Sequence, residues 1–328
     1  MTPRPRAGAR SDEFAAPSPD ELDALRSMQG GGRWTCQGRT LELSNLDKVL
    51  FPASDGDPAA TKRDLLVYYA EMAPVILPYL ADRPINLHRF PDGAGNKGFW
   101  QKQVPSYAPE WLTRWRYEDA DPGRSQDYAV IDSAPSLVWE ANMAAIELHA
   151  WTSSLRDVRE PTWALIDIDP GSQTSFDDVV RLAQLYRAGL EHLGVDSVPK
   201  LSGQRGIHIW VPVADGYSFD DTRTWVEALS RAIGAFEPDV VSWTWEKSRR
   251  RGRARLDYTQ NAINKTLVAP YSVRAAPGAP VSMPITWEEL DELDDAAPWT
   301  IRTAPARVQE VGDLFAAVRR QPQRLPPL

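Results

Sequence analysis

A single cysteine, Cys36, among 328 residues excludes an internal disulfide framework and any cysteine-built zinc site. No run of about 18 apolar residues is present to span a bilayer. The N-terminal stretch MTPRPRAGARSDEFAAPSPD also lacks the apolar core of a signal peptide, so the expectation is a cytoplasmic protein. Histidine is nearly as scarce, with only His88, His149, His192 and His208. A metal site must therefore lean on carboxylates, which favours Mg²⁺ or Mn²⁺ over softer ions. Positive charge is in deficit too: the net charge of −8 counts modestly against a polyanionic partner. Local distribution matters more. Residues 247–255, KSRRRGRAR, carry six Lys or Arg and no acid, while acids gather at Glu288–Asp295. A solvated loop and a phosphate-binding strip are both open readings of that run.

What is present fits a globular enzyme: 42% hydrophobic and 25% charged residues in a chain long enough for one or two sizeable cores. Residues 1–17, rich in Pro, Arg and Ala without periodicity, read as a disordered tail. Order begins at Ser18, where Ser-Pro-Asp-Glu supplies a helix cap, and Gly30-Gly31-Gly32 ends that short helix. Helical spacing predicts helices over Thr61–Leu80, from Ser175 to about Leu193 with Asp178 completing a capping box, and over roughly Asp221–Ala235. Between them lie β-like runs at 162–169, 206–213, 253–260 and 267–274. The chain reads as α+β, with an N-terminal module over 18–155, a catalytic module over 156–310 and a C-terminal tail over 311–328.

The feature richest in chemistry is Asp167-Ile168-Asp169, which ends an apolar run. Residues two apart on a strand face the same side about 6.6 Å apart, so both carboxylates would point one way and Ile166 and Ile168 the other. Asp55-Gly-Asp57 and Asp119-Ala-Asp121 show that the triplet alone proves nothing. What separates Asp167 and Asp169 is the apolar strand beneath them, where charge is costly unless paired or bound to metal. A structural ion pair is the alternative; a metal clamp is favoured. Next comes Lys200-Leu-Ser202-Gly203-Gln-Arg-Gly206-Ile-His208, a turn whose hydroxyl and backbone N–H groups could cradle phosphate oxygens, or a plain hairpin. His208 alternates with Ile207 and Ile209 and so faces away from the core they fill. Asp257, between Leu256 and Tyr258, takes the polar side of a third strand. Three carboxylates with a phosphate cradle between them would make a two-metal nucleotidyltransferase site.

These residues resemble the archaeo-eukaryotic primase superfamily, and within it the polymerase domain of bacterial non-homologous end-joining DNA ligase D and its stand-alone relatives. The segments that carry the resemblance run in the family's order: SNLDKVLFP, TKRDLLVYYA, RPINLHRFPDG, GFWQK, IELHAWTS, LIDIDPG, KLSGQRGIHIWVPV, RLDYTQNAINKT and APYSVRAAPGAPVSMPITWEEL. The resemblance implies a fold of two β-sheets flanked by helices, with an RRM-like catalytic module. It implies a metal triad of Asp167, Asp169 and Asp257, and nucleotide contacts from His149, Ser202, His208, Lys265 and Arg274. It implies that Asn45, Lys48 and Lys62 hold the 5′-phosphate of a downstream strand, and that Phe99 and Trp100 present an aromatic to DNA bases. Strand alternation would bury one of those two. The activity implied is templated addition of NTPs or dNTPs at gapped or broken DNA, with Mn²⁺ and ribonucleotides preferred in short gaps. End joining with Ku and a separate ligase, or gap filling in excision repair, is the implied setting, with sealing left to another protein. A primer-synthesising primase and a non-catalytic DNA-end binding module are the alternatives.

Overall fold

The computed structural model describes residues 14–54, 56–121 and 123–328, so the expected tail lies, through residue 13, outside the described residues. The chain forms two compact units. One takes the described part of Met1–Trp151 with Val268–Val281 and Trp299–Glu310; the other takes Thr152–Leu267, Ser282–Pro298 and Val311–Leu328. The first crossing falls near the boundary read at residue 155, but the later segments depart from a simple division. Residues 268–281 and 299–310 return to the first unit. The segment 311–328, read as a tail, belongs to the second unit: Phe315 is fully buried beside Trp163 and Trp210, and Trp225 Nε1 donates to the Pro326 carbonyl at 2.8 Å. Short apolar segments without a period carry no signal about which core they join.

In the first unit a five-stranded antiparallel sheet centres on Ile85–Arg89, which pairs with Phe99–Gln101 and with Ala145–Ala150. The helix expected over Thr61–Leu80 is two helices, Lys62–Glu71 and Ala73–Leu80. Thr61 caps the first, with Asp64 bonding back to it. The second restarts after Met72 with a proline in its first turn, where a missing N–H removes no helical bond. Tyr68 and Tyr69 are buried and donate to the carbonyls of Tyr271 and Ile146, both at 2.7 Å, which ties the returning segment to the sheet.

The second unit holds a four-stranded antiparallel sheet in the order Val198–Leu201, Ile207–Pro212, Trp163–Asp169, Arg255–Leu256. Helices Phe176–His192 and Phe219–Phe236 pack against it, capped by Ser175 and Ser218 with Asp178 and Asp221. Two of the anticipated strands are much reduced. The run 253–260 is a strand only over Arg255–Leu256. There the Asp257 side chain accepts from Thr259 N and turns the chain into a short 3₁₀ segment, the local competition that Asp offers a ladder. The run 267–274 forms only the single bridge Val273–Val281, because Pro270 lacks a donor and Tyr271 adopts φ 65°. Among the described residues no helix is long and apolar enough to cross a membrane.

Candidate active site

The second unit carries the carboxylates. Asp167 and Asp169 share one face of the Trp163–Asp169 strand, while Ile166 and Ile168 are buried on the other. Asp257 joins them through the backbone: its N–H donates to the Asp167 carbonyl at 2.7 Å, just beyond the pairing of Leu256 with Ile168. Each carboxylate is met by a basic side chain. Arg250, nearly buried, places Nη1 2.8 Å from Asp169 Oδ2 and also donates to the carbonyls of Thr244 and Trp245, both at 3.0 Å. Arg255 Nη2 lies 3.2 Å from Asp257 Oδ1, and His208 Nε2 lies 3.5 Å from Asp167 Oδ1.

His208 sits directly opposite Asp167 in the antiparallel register, and Lys200 directly opposite His208. Sequence alternation placed His208 on the carboxylate face; the structure adds that it is buried there, with the fully buried Lys200 Nζ 3.0 Å from Nδ1. The intervening turn is closed by Ser202, whose Oγ accepts from Gln204 N at 3.2 Å and Gly206 N at 3.0 Å. Gly206 lies so near the carboxylate strand that a Cβ there would stand 2.5 Å from the Ile168 carbonyl oxygen. Gly171, just after Asp169, is likewise pressed against the backbone of Gly252, within the basic run. Both loops therefore seat on the carboxylate strand by main-chain contact. Lys265 is exposed on the loop after Asn261, which anchors to Leu165 through both backbone groups at 2.8 Å.

Among the described residues no group of three or more Asp, Glu, His or Cys closes around a point as a metal cage. The donor chemistry still fits a hard divalent cation: carboxylate oxygens on neighbouring strands and no thiolate. An ion there would have to take Asp169 from Arg250.

The first unit carries the other predicted residues. Asn45, at φ 54°, accepts Lys48 N at 3.0 Å, and Lys48 accepts Lys62 N at 2.8 Å, so the backbone gathers the three. Lys48 Nζ donates to the Pro91 carbonyl at 2.5 Å and lies 3.3 Å from Asp92 Oδ1. Lys62 is buried, with Nζ donating to the Ser44 carbonyl at 2.7 Å; burial, then the charges of Lys48 and Arg89, pushes its pKa down to about 8. Phe99 and Trp100 are both about half exposed, at 47% and 52%. This corrects the expectation that one would be buried: their three-residue strand is an edge, covered by only one neighbour. Arg89 lies over the Phe99 ring at 5.2 Å, and His88 stacks on Trp100 at 4.3 Å.

His149 and Arg274, remote in sequence, both reach Glu147, at 3.3 and 2.9 Å. Sequence reading missed Glu147, Lys200, His88, Arg250 and Arg255. Glu147 had a signal: it stands two residues before His149 on an apolar strand, as Asp167 stands before Asp169.

A carboxylate-bearing strand with a closed serine–glycine turn and an inward histidine beside it is an arrangement suited to nucleotidyl transfer. The family model described as the LigD primase-polymerase domain matches residues 61–315. The chain belongs to that family and is a nucleotidyltransferase that uses a divalent metal and a nucleoside triphosphate. It is similar to the multifunctional non-homologous end joining protein LigD of Mycolicibacterium smegmatis, 31% identical over 278 residues, 84% of this chain and 36% of that protein. It is also similar to the bifunctional non-homologous end joining protein LigD of Bacillus subtilis, 29% identical over 287 residues, 87% of this chain and 45% of that protein. The chain thus spans less than half the length of these relatives. Among solved structures, the polymerase domain from Mycobacterium tuberculosis ligase D in complex with DNA matches with a TM-score of 0.76 and 30% identity, covering 86% of this chain and 99% of that one. The α+β fold is the fold of that domain.

Proposed function

We propose that this protein is a DNA-repair primase-polymerase that adds ribo- or deoxyribonucleotides to 3′ ends at short gaps or double-strand breaks and recognises a downstream 5′-phosphate. One observation carries the reading: the likeness to a polymerase domain solved with DNA coincides with carboxylates, cradle and histidine on one sheet. Asp167, Asp169 and Asp257 would hold Mn²⁺ or Mg²⁺, which would supply activation of a 3′-hydroxyl and neutralise the departing pyrophosphate. Ser202, His208, Lys265 and Arg274 are assigned to the triphosphate, and His149 to the sugar. The lysine pair with Asn45 suits a dianionic 5′-phosphate, since two ammonium groups and an amide donate to it. Phe99 and Trp100, exposed side by side, offer stacking worth about 1–3 kcal/mol per base.

End joining is the favoured setting, supported by the names of the relatives, with Ku and a separate ligase as partners and the cytoplasm as the place of work. The test is extension of a 5′-phosphorylated gapped duplex with ribo- and deoxyribonucleotides, in Mn²⁺ and in Mg²⁺. Incorporation that falls when the 5′-phosphate is removed supports the reading; no incorporation with any nucleotide or metal overturns it.

A further inference from the structure

His149 and Arg274, assigned above to sugar and triphosphate, meet on one carboxylate with no assigned role, and Trp100, assigned to base, is linked to it through His88. Glu147 is almost wholly buried on the Ala145–Ala150 strand. Its Oε2 lies 2.9 Å from His88 Nδ1 and 3.3 Å from His149 Nε2. Its Oε1 accepts from Arg274 Nε at 2.9 Å and from Ala275 N at 3.1 Å. His88 carries the link outward, stacked on the Trp100 indole with the planes 7° apart, and Trp100 sets its edge against His149 at 4.8 Å.

The protons in this cluster can be placed. Burial alone would raise the Glu147 pKa, but hydrogen bonds from His149 and His88 and the Arg274 charge overcome it and hold the carboxyl well below its usual range. Glu147 is therefore an acceptor only. His149 is driven towards the neutral form chiefly by burial. A neutral imidazole has one N–H, and the carboxylate at Nε2 fixes it there. Nδ1 is left as a lone pair, buried and with no hydrogen-bond partner among the described residues. A buried acceptor left idle costs about 1–3 kcal/mol, a cost that a ligand donor would remove. On the sugar of a nucleotide the only donors are hydroxyls.

We infer that Glu147 is a positioning residue for nucleotide selection: it fixes His149 in the tautomer whose Nδ1 accepts a sugar hydroxyl of the incoming nucleotide, and through His88 it braces Trp100. The inference rests on the assignment of His149 to the nucleotide sugar, and it makes sugar selection and base stacking depend on one buried carboxylate. Glu147→Gln presents an amide that can donate to His149, so the tautomer is no longer specified.

The experiment has two arms. In the first, kcat and KM are measured for ribo-, 2′-deoxy- and 3′-deoxynucleotides on a 5′-phosphorylated gapped duplex. The wild type should show a KM about 3–10-fold higher for one of the two deoxygenated nucleotides, the worth of one hydrogen bond. Glu147→Gln should erase that ratio with a smaller change in kcat. An unchanged ratio, or none in the wild type, overturns the inference; a merely structural role would weaken all three nucleotides alike. The second arm needs no variant: ¹⁵N NMR of His149 in the wild-type protein should show the proton on Nε2, with the Nδ1 signal moving when a non-hydrolysable ribonucleoside triphosphate is added. A proton on Nδ1, or a charged ring, overturns the inference even if the enzyme extends DNA, and wild-type extension reports separately on the polymerase reading.

Discussion

Lys200 donates to His208 Nδ1 across 3.0 Å in a fully buried position, and the same Nζ lies 2.5 Å from Ser282 Oγ. Because an amine donor occupies Nδ1, the imidazole proton belongs on Nε2, the nitrogen that faces Asp167. A lysine given no role from the sequence thereby sets the donor direction of the histidine assigned to triphosphate.

Lys200→Met keeps the volume and removes the donor. It should raise the half-saturating nucleotide concentration roughly 10-fold, the worth of about 1.4 kcal/mol, as His208→Ala should. The two changes act through one contact, so the double variant should be little worse than either alone. Additive losses in steady-state extension assays would refute the coupling.

Asp167→Ala or Asp169→Ala should abolish extension yet leave DNA affinity nearly intact in a fluorescence-anisotropy titration. Extension that persists would remove the metal assignment. Chelation should do the same without unfolding the protein, because Arg250, Arg255 and His208 already face the three carboxylates. A large drop in Tm on adding EDTA would argue against that balance.

The 5′-phosphate contact should be pH-sensitive. Lys62 loses its proton near pH 8 and is nearly all ammonium a unit below. Preference for 5′-phosphorylated over 5′-hydroxyl ends should therefore decline as pH rises through about 8. Lys62→Arg, charged throughout, should flatten the decline, and Lys48→Ala should lower affinity for phosphorylated ends only. Equal losses on both kinds of end would defeat the assignment.

Glu140 predicts a pH effect on stability. Its carboxyl is fully buried, with both oxygens lacking a partner among the described residues, and burial pushes its pKa up to about 8 against the pull of Arg89. The native state keeps a proton that the unfolded chain releases above about pH 4.5, so stability should fall as pH rises from there to about 8. By pH 7 the loss is on the order of 3 kcal/mol. Urea titrations of Glu140→Gln should lack this slope. A wild-type curve as flat as the variant's would show that the carboxyl is not held neutral.

Much of this was legible in the sequence, for identifiable reasons. The shared face of Asp167, Asp169 and His208 was readable because strand alternation is a rigid rule and the apolar residues between them fix the phase. The Ser175 and Thr61 caps were found because a capping box is local. Four features escaped, each for its own reason. The helix break at Met72 leaves the apolar spacing intact. The return of 268–281 and 299–310 to the first unit depends on partners far along the chain. Glu147 looks like any polar strand residue until His88 and Arg274, distant in sequence, arrive beside it. The turn at Asp257 escaped because its side chain satisfies a backbone donor that a strand would have paired.

Gly171 and Gly206 seat their loops on or beside the Trp163–Asp169 strand by close backbone approach. The strand acids thus keep their place by main-chain contact as well as through the Arg250 and Arg255 side chains that pair with Asp169 and Asp257. A single methyl group at either glycine would force the two backbones apart and so disturb the strand that carries Asp167 and Asp169.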